Sequence, residues 1–151
     1  MILRLLESEY SVYKFDANHS IKENIFNYEF VSVTKTEEEI SIVAHSNELS
    51  GFTAVERDWK ILKIEGILDF SLIGILSKIS TILANENISV FVISTYNTDY
   101  IMIKTKDVKK AIDILIKNKY EIKRESSNDI DEIKNLNKNN CQIMAFEYSN
   151  K

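Results

Sequence analysis

Ser94, Thr95, Thr98 and Asp99 crowd into "ISTYNTDYIMI" (93–103), placing hydroxyls and one carboxylate between two apolar runs. Two kinds of chemistry suit such a set. Short polar side chains bond their own backbone and shape a hairpin turn. A carboxylate among hydroxyls also accepts from an ammonium group, at roughly 1.5–3 kcal/mol for a charge-assisted hydrogen bond. A ligand that carried a carboxylate beside the ammonium would need donors as well. "EGILDFSLIGIL" offers them: a helix expected to start near Ser71, capped by Asp69 or Ser71, would present unpaired N–H groups and a positive dipole end. Gly74, one turn into that expected helix, costs roughly 0.5–1 kcal/mol relative to alanine and so asks for a reason. Close approach of a ligand is one reason and close packing against a strand is the other. Asp69 is likewise readable as a cap or as a second acceptor.

Other chemistry finds little support. His19 and His45 lie far apart, in no spacing that suits a metal or a triad. Three glycines form no phosphate loop. The single cysteine, Cys141, has no partner for an internal disulfide and reads as a small hydrophobe. No catalytic apparatus, cofactor or metal is expected, and the chain reads as a non-enzyme. A net charge of -4 argues against nucleic acid as the main partner. "MILRLLESEY" lacks the apolar stretch of a signal peptide, and no run is long enough to span a bilayer, so the expectation is a cytoplasmic protein without a membrane partner. Tyr28, Phe91, Tyr96 and Tyr100 are available to wall a ligand, although aromatics at strand positions serve sheet packing as well. "TEEE" (36–39) reads as a solvated turn.

The elements that would hold these residues are clearest from Trp59 onward. "WKILKIEG" is a strand ended by Gly66. "SLIGILSKISTILANEN" repeats Leu72, Ile75, Leu76, Ile79, Ile82 and Leu83 at helical spacing. "ISVFVISTY" and "DYIMIKT" make a hairpin, its first run apolar enough to be central in a sheet. "KDVKKAIDILIKNK" is a second helix and "YEIKR" a last strand. The order βαββαβ is the ferredoxin-like arrangement, with helices on one face of an antiparallel sheet, an α+β fold.

Earlier, "ILRLL" and "YSVYKF" read as strands, "IKENIF" as a helical turn and "FVSVTKTEEEISIVAHS" as a second hairpin. "SVTKTEEEISI" parallels "ISTYNTDYIMI", which suggests an internal duplication of one small module. The expected division is a first, atypical module over 1–58, a second over 59–124 and an extension over 125–151. In that extension "CQIMAFEY" is a strand that completes the first module, or else a mobile tail.

With "EGILDFSLIGIL", "ISTYNTDYI" and "SVTKTEEEISIV" together, the chain resembles small bacterial proteins of tandem ACT domains, taken as amino-acid binders. It is also similar to one half of the animal cytosolic arginine sensors of the CASTOR type. The resemblance implies tandem ACT modules, commonly a homodimer, with a free amino acid held between modules and no catalytic residues. It places the ligand between Asp69, Phe70, Ser71, Leu72, Ile73 and Gly74 on one side and Thr95, Tyr96, Thr98 and Asp99 on the other. Leu72 stands where the arginine sensors carry an acid, so arginine specificity does not follow. The competing expectation is an interaction or dimerisation module without a small-molecule ligand.

Overall fold

The longest described strand begins in a run of charge, "AVERD", that pattern alone does not announce. A computed structural model describes residues 1–66 and 73–125. Expectations placed on Asp69, Phe70, Ser71 and Leu72, and on the tail from 126 with Cys141 and "CQIMAFEY", lie outside the described residues.

The strands are β1 (Ile2–Leu5), β2 (Tyr10–Asp16), β3 (Ser32–Lys35), β4 (Glu39–His45), β5 (Ala54–Ile64), β6 (Val90–Ser94), β7 (Asp99–Lys104) and β8 (Glu121–Arg124). The helices are α1 (Ile75–Asn85) and α2 (Val108–Lys117), with short 3₁₀ turns at Glu23–Asn27 and Thr105–Asp107. From β5 onward the order is the expected βαββαβ.

All the described strands join one eight-stranded sheet instead of the two antiparallel sheets expected. Strand β5 makes this possible. One of its edges pairs with β2 through Ala54–Trp59 and then with β1 through Leu62–Ile64, and the other edge pairs with β7. Tyr10 faces Trp59 while Val12 faces Glu56, so β5 holds one more residue than β2 across this interval. That bulge coincides with Asp58 at φ +66°, a left-handed conformation that bends and twists a strand. Thus β5 turns from one half of the sheet to the other at Asp58.

Strand β1 lies between β5 and β8, antiparallel to the first and parallel to the second. The four C-terminal strands of the βαββαβ unit are therefore parted by a strand from the extreme N-terminus. The sequence drew its second module from 59, whereas the pairing places residues 2–5 inside that module's sheet.

Three apolar clusters hold the sheet. Leu62 and Ile64 of β5, Ile101 and Ile103 of β7 and Leu3 and Leu5 of β1 meet Ile79 and Leu83 of α1 and Ala111 and Leu115 of α2. Alternation sends Ile61 and Met102 to the opposite face, where they join Tyr10, Val43 and Trp59, with Phe30 and Tyr100 at the margin. Tyr13, Phe15, Ile40, Ile42, Ala44 and Ile25 form a smaller cluster in the N-terminal half.

Strand β6 corrects one expectation. Its apolar run suggested a central strand, yet among the described strands it pairs with β7 alone and stands at the edge. The run is apolar because Val90 packs toward the helices and Ile93 toward the Tyr100 side, so each face is partly covered while one edge has no partner among the described strands.

Candidate functional site

The turn between β6 and β7 is built by its threonines. The Thr95 N–H donates to the Thr98 carbonyl at 2.9 Å, and the Thr95 hydroxyl donates to the same oxygen at 2.9 Å. The Thr98 N–H returns a bond to Thr95 Oγ1 at 3.3 Å. Thr36 repeats this in the β3–β4 turn, donating from N–H to the Glu39 carbonyl at 2.9 Å and accepting from the Glu38 and Glu39 N–H groups at 3.2 Å. Thr36 and Thr95 are thus turn residues, and the two hairpins share one local solution.

Thr98 acts over a longer range. Its side chain is buried, 4% exposed, and its hydroxyl donates to the Ile64 carbonyl at 2.8 Å. Ile64 is the last residue of β5, so this bond fixes the turn beside the point where the chain leaves the sheet for α1. Asp99 opens β7 opposite Ser94 and is half-buried, and its carboxylate makes no hydrogen bond or ion pair among the described residues. Tyr100 follows it. Burial, and then the Glu65 carboxylate, holds its phenol above the usual range, so it remains a neutral donor at physiological pH. Tyr96 is 81% exposed at the turn's tip.

The start of α1 differs from expectation. Its N-cap is Gly74 at φ +82°, with no side-chain cap, and the helix begins at Ile75. The expected caps, Asp69 and Ser71, lie outside the described residues. A methyl group on Gly74 would meet nothing within 4 Å, so the glycine answers to its left-handed backbone and not to a close neighbour. The first N–H groups of α1 still lack intrahelical acceptors, as at any helix start. Ile73, 93% exposed, and Gly74 border an open depression of about 620 Å³ with Ser77, Lys78, Asn118 and Tyr120. No residue of 95–99 lines that depression. The structure therefore brings Thr98 and Asp99 to the end of β5, places Ile73 and Gly74 on a depression near the end of α2, and does not join the two groups through described residues.

Of the expected aromatic wall, Phe91 packs against Trp59 with ring centres 6.1 Å apart, and Tyr100 packs against Phe30 at 4.9 Å. Tyr28 lies elsewhere, stacked on His45 at 5.9 Å. What the sequence reading missed is the tie from Thr98 to Ile64. Its only sequence signal is a second threonine in a turn that one threonine suffices to close. No cluster of metal-ligating side chains occurs among the described residues. No helix among them is long and apolar enough to cross a membrane.

Residues 54–117 match the family described as the ACT domain, from the first residue of β5 to the last of α2. This segment is thus similar to an ACT domain. Residues 8–51 match a different family, described as an N-terminal domain. None of the curated proteins compared with the chain matches it. Among solved structures, protein Atu0741 of Agobacterium tumefaciens is similar over 83% of this chain and 93% of its own, at 26% identity and a TM-score of 0.75. A Vibrio cholerae protein of unknown function, VC0802, is similar over 76% of this chain and 87% of its own, at 17% identity and a TM-score of 0.58. The regulatory subunit of aspartate kinase from Thermus thermophilus shares the fold over 73% of this chain and 91% of its own, at 8% identity and a TM-score of 0.51. The segment similar to the ACT domain thus follows one that matches another family, and β5 carries the sheet from one to the other.

Proposed function

We propose that the protein binds a free amino acid at the loop end of its ACT domain and acts as a non-enzymatic sensor. The observation that supports this is the bond from Thr98 to the Ile64 carbonyl, which ties the turn before Asp99, whose carboxylate has no partner among the described residues, to the end of β5. Asp99 takes the ligand ammonium, and donors from the 68–74 connection take the carboxylate. The fold shared with an aspartate kinase regulatory subunit, together with the resemblance to amino-acid binders, supports a regulatory use. The open edge of β6, with Phe91 37% exposed, supports assembly into a homodimer. A cytoplasmic setting belongs to the same reading.

A thermal-shift screen of the free L-amino acids tests it. A ligand at about 100 times Kd stabilises the native state by about 2.7 kcal/mol, which raises Tm by several degrees in a chain of this size. Asp99→Asn keeps a residue suited to the turn and removes the charge, so the best ligand should bind about tenfold or more weaker by calorimetry. An Asp99→Asn titration that overlays the wild type would end the ammonium role. Native mass measurement with and without ligand reads the assembly in the same samples.

A further inference from the structure

Among the described residues, no helix covers the sheet face around Phe15 and Ile42. The 3₁₀ turn Glu23–Asn27 and the connection after β4 cover it instead, and between them lies a cavity of about 320 Å³. That volume is at the lower end of small-molecule sites. Its floor is apolar and closed: Phe15, Ile25 and Ile42 are 2%, 5% and 1% exposed. Its mouth carries charge of both signs, with Lys22 on one covering segment and Glu48 on the other.

These charges form no ion pair with each other or with any other described residue. Glu48 is nonetheless held in place, because the Tyr28 hydroxyl donates to its Oε2 at 3.2 Å while the Tyr28 ring rests on His45. The wall near Lys22 is fixed by His19, whose ring lies 4.7 Å from that of Phe15. Gly51, at φ +81°, makes room for it, since a Cβ there would come within 3.3 Å of His19 Cε1. An anion alone would leave Glu48 unanswered, and a cation alone would leave Lys22 unanswered. An uncharged apolar ligand would use neither.

We infer that this cavity is a second small-molecule site, separate from the one at Asp99, and that it takes a zwitterion with an apolar or aromatic body. The ammonium faces Glu48, the carboxylate faces Lys22 and the body rests on Phe15, Ile25 and Ile42. A free amino acid such as phenylalanine or leucine has this chemistry.

The test uses the full chain and both amino acids as probes, followed by NMR of the His19 and Tyr28 ring signals and by calorimetry. The site predicts that one of the two probes shifts both rings. Glu48→Gln and Lys22→Gln should each weaken its binding about tenfold or more. Ser50→Trp, at the exposed mouth, should block it by bulk while the wild-type Tm is kept. Asp99→Asn should leave it unchanged. Ring signals that stay still under saturating phenylalanine and leucine would overturn the inference, as would unaltered affinity in both charge variants. Responses confined to 95–99 would overturn this site alone. Responses confined to the His19 and Tyr28 rings would leave this site standing and count against the one at Asp99.

Discussion

Thr98 shows how one hydroxyl ties a loop to a fold. A buried donor that satisfies a buried carbonyl contributes modestly on net, but removing it leaves the acceptor unpaired at about 1–3 kcal/mol. Thr98→Val, similar in shape and without the hydroxyl, should therefore lower stability by about that amount in urea unfolding, while Thr98→Ser should recover most of it. A Thr98→Val midpoint equal to wild type would show that the tie to Ile64 carries no weight. Thr95→Val should cost less, since its bonds are local and its residue exposed. The polar run 94–99 was legible as turn chemistry because such turns are closed within a few residues. The partner of Thr98 was not, because Ile64 is 34 residues away and only the pairing of β5 with β7 brings them together. Lys22 and Glu48 drew no reading from the sequence for the same reason: nothing local links them.

Among the elements, β1 is the least expected in position and the most exposed to test. Strand β8 pairs with β1 alone among the described strands, and Leu3, fully buried, stands between Ile64 and Ile122. Leu3→Ala should cost about 2–5 kcal/mol, as a leucine truncated in a closed core does. Amide exchange should then accelerate across 121–124, far away in sequence. If 121–124 exchange at the wild-type rate under conditions where the variant is measurably destabilised, β1 does not hold β8. Period and alternation made α2, the two hairpins and most strands readable, because those elements bury one stripe or one face. They did not reveal the first half of β5, where Glu56, Arg57 and Asp58 are exposed and backbone pairing alone makes a strand. Helical spacing also ran through Gly74, since Leu72 and Ile75 continue the stripe of α1. The glycine itself was the signal of a boundary, and its left-handed backbone is the physical reason.

At the scale of the whole molecule, the question is whether two families of sequence make two stable bodies. The N-terminal unit matched over 8–51 is short, its own cluster has few buried side chains, and its strand β2 leans on β5 of the ACT-like segment. A segment of that length buries too small a fraction of its surface to be secure alone. The ACT segment in turn depends on β1, which comes from before the N-terminal unit. Between them, Tyr10 and Val43 share a cluster with Trp59, Ile61 and Met102, so neither half can open without exposing apolar surface of the other. Unfolding should accordingly be a single transition. Trp59, the only tryptophan and 8% exposed, sits in that shared cluster and reports it by fluorescence. Far-ultraviolet circular dichroism reports α1, α2 and the sheet. The two urea curves should coincide, and amides of β4 and β7 should exchange with similar free energies at low denaturant. A first transition that frees β2 to β4 while Trp59 keeps its native emission would show that the bulge at Asp58 divides the sheet into independent units, with the shared cluster too weak to couple them.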